Sequence, residues 1–194
     1  MSPSPFGLEG RRVVVTGAGG GIGAALLAAF RGAGARIVAC DRAGPALDAL
    51  EAGERLAFDL ADPAAIDAAA RALLARGVAP DVVKGAVLVS GIYDPAPAKA
   101  TSVDAEIRLT PELIARHDYE RRPPRILCPS WILAGGREPW HWIDQSFRYA
   151  HHLRRHGGDP GVVVSPGFHH FDIMDQYRDP ASDVMRAVMA VARP

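Results

Sequence analysis

Short runs of β-branched and aliphatic residues alternate along the chain with longer segments whose apolar residues recur every three or four positions. The short runs predict buried parallel strands, because they lack the polar alternation of a strand that faces solvent on one side. These predicted strands cover residues 12–16, 35–40, 56–60, 85–90, 126–134 and 161–165. The longer segments predict helices that begin at Ile22, Asp62-Pro63, Thr110-Pro111, Trp140 and Asp179-Pro180.

This alternation is typical of βαβ units, which build a mostly parallel sheet covered by helices on both faces. Two βαβαβ halves predict a three-layer, doubly wound α/β fold, Rossmann-like, with strand order 3-2-1-4-5-6. We expect one domain over residues 1–194, because the length suits one domain and no repeat or solvated linker interrupts it. The helix from Trp140 is expected to bury one apolar face, made of Trp140, Ile143, Phe147, Ala150 and Leu153.

The composition excludes several functional classes. The chain has 22 basic residues (lysine and arginine) and 22 acidic residues (aspartate and glutamate), so its formal net charge is zero. No global basic field therefore exists to attract nucleic acid or anionic lipid. Two cysteines, Cys40 and Cys128, are too few for a disulfide framework. The uncharged run 13–30 is long enough to suggest a membrane span, but five glycines interrupt it. We therefore expect a cytoplasmic protein without a membrane partner.

A glycine-rich turn follows the first predicted strand and opens the first predicted helix. Glycine permits a positive φ and lets a pyrophosphate approach the backbone, while the helix N-terminus offers free N–H groups and the positive end of its dipole. The strand–turn–helix context makes dinucleotide binding the favoured interpretation over a turn that binds nothing. The candidate cofactor-binding residues of this turn are Thr16, Gly17, Gly21, Ile22 and Gly23.

An acidic residue stands at the end of the second predicted strand. Asp41 follows the last glycine of the turn by 18 residues. A carboxylate there can accept a hydrogen bond from a ribose 2′-OH and repels a 2′-phosphate. The sequence therefore favours NAD over NADP as cofactor, although Arg42 beside it acts in the opposite direction.

Residues 7–78 resemble the short-chain dehydrogenase/reductase (SDR) family, through the T-G-x-x-x-G-x-G spacing of the turn. The resemblance implies that Asp59 and Leu60, the D-L pair after the third strand, contact the adenine. It also implies a cofactor contact for Ser90 and Gly91, which stand where the family has Asn-Asn-Ala-Gly. The family's catalytic Tyr and Lys, spaced four apart, have no counterpart, because no tyrosine of this chain is followed by lysine at that offset.

Residues 80–194 resemble the C-terminal part of an α/β-hydrolase, closest to kynurenine formamidase-like esterases. The resemblance lies in residues 83–94, 134–138 and 168–172. It implies that Glu138 is the catalytic acid, which orients a general base, His170. The family's G-x-S-x-G elbow and its His-Gly-Gly oxyanion segment are absent, so the nucleophile is missing.

A second histidine cluster is not interpreted as a metal site. His152 and His156 are four residues apart on one helical face, a spacing that can bind zinc, but no third ligand is placed beside them. A solvated polar face is the favoured interpretation, and no metal is predicted.

The two resemblances together predict a chimera whose seam lies near residues 78–83. Three functions stay open. The first is an NAD(H)-binding protein of SDR descent with little or no turnover, and the second is a hydrolase remnant of formamidase or esterase type without its serine. The third is a fusion that binds no ligand. A dinucleotide is the expected partner, while the substrate and any homo-oligomer stay undetermined.

Overall fold

The computed structural model of the protein describes residues 7–78 and 82–192. The chain divides into two compact units, Met1–Val82 and Val83–Pro194. Each unit contains a three-stranded parallel sheet with strands joined by helical crossovers, so each is of the α/β class.

The first unit contains three βα pairs in chain order. Its elements are β1 (Arg12–Thr16), α1 (Gly21–Gly32), β2 (Arg36–Asp41), α2 (Pro45–Asp48), β3 (Glu54–Ala57) and α3 (Pro63–Ala75). The strands pair in the order β1-β2-β3, which places Thr16 beside Cys40. The predicted cap of α3 is confirmed: the Asp62 side chain accepts a hydrogen bond from the Ala64 N–H at 2.9 Å, and proline occupies the first turn.

A small apolar core forms between this sheet and α1. Val15, Ile37 and Ala39 of the strands pack with Leu27 of α1, and all four are buried. Val38 lies on the opposite face of β2 and is also buried, because successive side chains of a strand point to opposite sides. Both faces of β2 are therefore shielded from solvent, which accounts for its unbroken apolar sequence.

The second unit has the same alternation with longer connections. Its elements are β4 (Ala86–Val89), α4 (Asp104–Ile107), α5 (Pro111–His117), β5 (Ser130–Gly135), α6 (Trp140–Arg155), β6 (Gly161–Ser165) and α7 (Asp183–Ala192). Short 3₁₀ segments cover Ala96–Ala100, Tyr119–Arg121 and Asp172–Arg178. The strands pair in the order β4-β5-β6.

Helices cover both faces of this second sheet. Ile132 of β5 packs with Ala150 and Leu153 of α6, whereas the next residue, Leu133, packs with Val184 of α7. Ile132 and Leu133 are both fully buried. The predicted three-layer arrangement is therefore present in this unit.

The predicted single sheet of order 3-2-1-4-5-6 is not confirmed. The described residues form two three-stranded sheets, whose internal orders agree with the two halves of that sequence. The physical reason is that a buried parallel strand is an apolar run whatever lies beside it, so its pattern specifies no neighbour. The prediction of one domain is not confirmed, and the central residues of the predicted seam, 79–81, lie outside the described residues.

Further expectations also differ from the structure. The third strand lies at Glu54–Ala57 instead of residues 56–60, and α7 begins at Asp183, after the Asp179-Pro180 pair. On α6, Trp140 is 77% exposed and Phe147 is 50% exposed, so the buried face is narrower than predicted. Gln145 and Ser146 are buried on that helix instead. Oε1 of Gln145 accepts a hydrogen bond from the Tyr93 N–H at 2.7 Å, and the Ser146 hydroxyl donates to the Trp142 carbonyl at 3.2 Å.

Within residues 7–78 and 82–192, no helix combines the length and the apolar character needed to cross a bilayer.

Truncation of Leu133 tests the core of the second unit. Leu133→Ala should lower the free energy of unfolding of this unit by about 2–5 kcal/mol, because the buried site cannot collapse around the lost methyl groups. All three tryptophans, Trp131, Trp140 and Trp142, lie in this unit, so tryptophan fluorescence in urea reports its unfolding. The control Leu127→Ala removes a 48% exposed side chain and should cost much less. Equal losses would show that this core does not stabilise the unit.

Candidate functional site

The glycine turn of the first unit needs glycine at two positions for steric reasons. Gly17 has a φ of +66°, which L-residues with a side chain rarely adopt. A Cβ on Gly23 would lie only 2.1 Å from the carbonyl oxygen of Gly17. The Gly20 N–H donates to the same carbonyl at 3.1 Å, which closes the turn in front of α1. The turn is thus tightly folded over the start of the helix.

The N-terminus of α1 is not capped by a side chain. Gly20 precedes the helix and makes no side-chain capping bond, and the first turn contains no acidic residue. A Cβ on Gly21 would have nothing within 4 Å, so the space in front of this helix end is open. Uncapped N–H groups and the positive end of the helix dipole together suit an anionic group such as a phosphate.

Asp41 connects the end of β2 with the glycine turn. Its Oδ2 accepts a hydrogen bond from the Gly19 N–H at 2.7 Å, and its Oδ1 accepts one from the Arg42 N–H at 2.7 Å. These two bonds, that of Gly19 foremost, hold the pKa of the Asp41 carboxyl below its usual range. The side chain is therefore a carboxylate at neutral pH. Its hydrogen bond to the Gly19 N–H also holds the glycine turn in place.

A cleft of about 140 Å³ lies beside these residues. Five of the predicted cofactor residues line it: Thr16, Gly17, Asp41, Asp59 and Leu60. Sequence reasoning did not place Cys40, Arg42 and Phe58 there as lining residues. They could have been found, since each directly adjoins a motif residue at the carboxyl end of β2 or just after β3, where parallel strands bring their ends to one edge. Gly21, Ile22 and Gly23 belong to the adjoining helix start.

A second group of side chains meets at the carboxyl ends of β4, β5 and β6. Ser90 follows β4, Glu138 follows β5 by three residues, and His170 follows β6 by five. The Ser90 Oγ lies 2.7 Å from Oε1 of Glu138 and 2.6 Å from Nδ1 of His170. Nδ1 of His170 is also 3.4 Å from Oε2 of Glu138. The predicted acid and histidine are thus neighbours, joined through a serine.

A close backbone contact holds the two loops of this group together. A Cβ on Gly135 would lie 2.4 Å from the carbonyl oxygen of Phe168, so only glycine fits there. The Arg137 N–H donates to that same carbonyl at 2.8 Å. The Gly135 N–H donates to Oε1 of Glu138 at 2.7 Å, which fixes the carboxylate at the end of its own strand. Glu138 is only 6% exposed, so the Gly135 N–H and the Ser90 hydroxyl replace the water that its carboxylate loses on burial.

Ser90 makes contacts that the sequence did not predict. The resemblance implied that Ser90 and Gly91 contact a cofactor, and both residues lie in the second unit, where Ser90 bonds Glu138 and His170. Ser90 has a φ of +54°, an uncommon conformation for a residue other than glycine that often marks functional sites. The signal that could have found this contact is its place after the carboxyl end of a strand, since the loops that carry Glu138 and His170 also follow the carboxyl ends of strands in the same parallel sheet. The cofactor role of Ser90 and Gly91 stays a prediction.

A buried tyrosine lies beside the same loop. Tyr93 is 6% exposed and stacks on Tyr149 at a centroid distance of 4.1 Å. Its hydroxyl has no hydrogen-bond partner among the described residues, and a Cβ on Gly91 would lie 2.5 Å from it. Burial raises the pKa of the Tyr93 phenol, so it stays protonated at neutral pH.

Comparison with known proteins finds similarity to dehydrogenases. No protein-family model matches the chain. The chain is 39% identical over 106 residues to the D-threitol dehydrogenase of Mycolicibacterium smegmatis, a match that covers 50% of this chain and 40% of that protein. The chain thus matches less than half of that relative's length. This similarity to an oxidoreductase agrees with the resemblance of residues 7–78, whereas the α/β-hydrolase resemblance and the chimera stay hypotheses.

Solved structures give weaker similarities. A metagenomic short-chain oxidoreductase in complex with NADP has a TM-score of 0.47 at 24% identity and covers 96% of this chain and 92% of that chain. A 3-ketoacyl-(acyl-carrier-protein) reductase from Brucella melitensis, complexed with NADH, has a TM-score of 0.44 at 19% identity and covers 95% of each chain. A protein of Silicibacter sp. TM1040, predicted to be a thioesterase, has a TM-score of 0.47 at 18% identity and covers 85% of this chain and 55% of that chain. Similarities at this level carry no functional conclusion.

Acid should release Asp41 from the glycine turn. Because the folded-state pKa of Asp41 is lowered, its two hydrogen bonds stabilise the turn at neutral pH, and this stabilisation is lost as the pH falls through that lowered pKa. The Gly19 amide should therefore lose protection from hydrogen exchange in acid, measured by NMR. The Gly34 amide, which donates to the Arg31 carbonyl at 2.9 Å, is the control and should not change. Unchanged protection of Gly19 would contradict the contact.

Removal of two buried hydroxyls should have unequal effects on stability. Ser90→Ala removes one of the two donors to Oε1 of the buried Glu138 carboxylate, so it should lower the free energy of unfolding by about 1.5–3 kcal/mol. Tyr93→Phe removes a hydroxyl without a partner among the described residues, so the change should stay below about 1 kcal/mol. Urea unfolding followed by tryptophan fluorescence measures both. A larger loss for Tyr93→Phe would contradict these contacts.

Proposed function

We propose that the first unit binds NAD(H) at the cleft formed by the glycine turn and Asp41. The observation that carries the proposal is the coincidence of an open, uncapped helix N-terminus with a carboxylate at the end of the neighbouring strand. The helix end suits the pyrophosphate, and the carboxylate suits the ribose hydroxyls. The similarity to a dehydrogenase supports this interpretation.

Exposed apolar side chains at the cleft and at the start of the adjoining helix support the same proposal. Ile22, at the start of α1, is 70% exposed, and Leu60, in the wall of the cleft, is 57% exposed. Aliphatic side chains of this size usually bury most of their surface. A flat heteroaromatic ring lying against Leu60 would cover it and gain the corresponding hydrophobic free energy. Asp59 beside it provides an acceptor for an exocyclic amine of that ring.

The charges at the ribose end favour NAD over NADP. The Asp41 carboxylate is ionised and would repel a 2′-phosphate. Arg42 also lines the cleft, and its guanidinium could bind such a phosphate. We expect the carboxylate to decide the preference, because it is held in place by two backbone donors.

The proposed function is binding with little or no hydride transfer. Transfer of the SDR type uses a tyrosine as general acid and base, its pKa lowered by a lysine four residues later. This chain has lysines only at Lys84 and Lys99, neither at that offset from a tyrosine. The activity named for the D-threitol dehydrogenase is therefore not proposed for this chain.

The hydrolase-type alternative is favoured by one observation, the hydrogen bonds that join Glu138, Ser90 and His170. In the form that the resemblance implies, it requires a serine on a G-x-S-x-G elbow, which the sequence lacks.

Titration of the full chain with NADH, followed by nucleotide fluorescence, tests the proposed function. We expect saturable binding, weakened at least about tenfold by Gly21→Trp, because the indole would fill the open space before α1. Gly32→Trp places the same side chain at the other end of α1, also in open space, and should leave binding unchanged. NADPH should bind the wild type more weakly than NADH.

Two results would overturn this assignment. One is the absence of binding by a folded, monodisperse wild-type protein. The other is binding that Gly21→Trp leaves intact, which would place the nucleotide elsewhere on the chain.

A further inference from the structure

A second cleft, of about 430 Å³, lies along one face of α6. It shares no lining residue with the Ser90–Glu138–His170 group, and its volume is within the range of about 300–1,000 Å³ that is typical of small-molecule sites. Most of its lining side chains are basic or aromatic, and the full set is Glu120, Phe147, Arg148, His151, His152 and Arg155. Five of these six residues belong to α6, so a rigid element positions them.

Three of these side chains form a row along the helix. Phe147, His151 and Arg155 are four residues apart, a spacing that places side chains above one another on one helical face. All three are exposed, and Phe147 keeps 50% of its surface in contact with solvent. The Cα atoms of Phe147 and Arg155 are about 12 Å apart along the helix axis. The row therefore presents an apolar ring at one end and a guanidinium at the other.

The charge of Arg155 is available to an anion. Among the described residues, neither its guanidinium nor the ring of His151 has a hydrogen-bond or ion-pair partner. The other two arginines of α6 differ, because Arg148 pairs with Glu120 at 2.9 Å and Arg154 pairs with Asp159 at 3.3 Å. Arginine side chains lean towards the N-terminus of their helix, so an anion bound by Arg155 would lie over the turn that carries His151.

The acidic residue in the lining of the cleft is already paired. Glu120 accepts hydrogen bonds from Nε of Arg148 at 2.9 and 3.2 Å. Arg148 also forms ion pairs with Asp94 and Asp144, so three carboxylates converge on one guanidinium. Arg148 precedes Arg155 by about two helical turns. An anion in this cleft is therefore directed to the Arg155 end, away from these carboxylates.

His152 forms a fixed wall of the cleft. Its Nε2 lies 2.7 Å from the carbonyl oxygen of Arg122, which can only accept, so Nε2 carries a proton. The ring also stacks on Tyr149 at a centroid distance of 5.9 Å. A wall that is held before a ligand arrives loses little conformational entropy on binding.

We propose that this cleft binds a phosphate monoester that carries an aromatic ring. Arg155 donates two hydrogen bonds to phosphate oxygens through its planar guanidinium, and His151 donates one N–H to a third oxygen. The ring of the ligand lies against Phe147 and covers its exposed surface. A phosphate suits this pair of donors better than a carboxylate, because the guanidinium alone occupies both oxygens of a carboxylate. The site uses residues of the second unit alone and does not depend on the proposed dinucleotide binding.

Calorimetric titration of the full chain with phenyl phosphate tests the site. We expect saturable binding, weakened at least about tenfold by Arg155→Gln, because the charge-assisted hydrogen bonds to the phosphate are lost. The matched control Arg154→Gln changes the adjacent arginine, which does not line the cleft, and should leave binding unchanged. Phe147→Ala should weaken the binding of phenyl phosphate at least about threefold and leave that of inorganic phosphate unchanged. Benzoate should bind more weakly than phenyl phosphate.

Four results would overturn the proposal. The first is the absence of phenyl phosphate binding by a folded wild-type protein, and the second is equal affinity of that protein for phenyl phosphate and inorganic phosphate. The third is an equal loss of affinity in Arg154→Gln and Arg155→Gln, which would show only a general attraction of anions to α6. The fourth is a loss of phenyl phosphate binding in Gly21→Trp, which would place this ligand at the glycine turn. Tryptophan fluorescence in urea checks that each variant is folded.

Discussion

Each candidate site is constrained by a glycine that packs directly against a backbone carbonyl. A Cβ on Gly23 would meet the carbonyl of Gly17, and a Cβ on Gly135 would meet that of Phe168, at distances no real side chain tolerates. The first contact folds the turn over the start of α1, and the second brings the loop after β6 to the end of β5. Because backbone atoms cannot move aside as a flexible side chain can, each contact fixes a loop and not a single residue. The functional groups of each unit are thus positioned by atoms that take no part in their chemistry.

The secondary structure was largely predictable where local chemistry marks both ends of an element. The strands β1 and β6 have the predicted bounds, because a β-branched run ends sharply in each. The third strand begins two residues earlier than predicted, because Glu54 and Arg55 belong to it and have no apolar side chain that would indicate a buried strand. The neighbours of each strand could not be predicted, because the pattern of a buried parallel strand is the same beside any neighbour.

The two candidate sites differ in how much of each could be predicted from the sequence. The cleft beside the glycine turn was predictable, because its residues lie in a short motif and at strand ends and are therefore close together in the fold. The link through Ser90 was missed because it joins three loops separated by 48 and 80 residues, a relation no spacing rule contains. The absence of the elbow motif argued against Ser90 as a nucleophile, but the motif contains no serine placed between the acid and the histidine.

The hydrogen bond between Asp41 and Gly19 would make the proposed recognition of a ribose an exchange of hydrogen-bond partners. A ribose hydroxyl that reached Oδ2 would find it already accepting the Gly19 N–H, so it would have to share the oxygen or displace the amide. The exchange of one hydrogen-bond donor for another gains little free energy, whereas leaving the Gly19 amide without a partner costs free energy. The carboxylate would therefore contribute more to selecting among sugars than to holding any of them. The order of the turn and the identity of the bound sugar would then depend on the same oxygen atom.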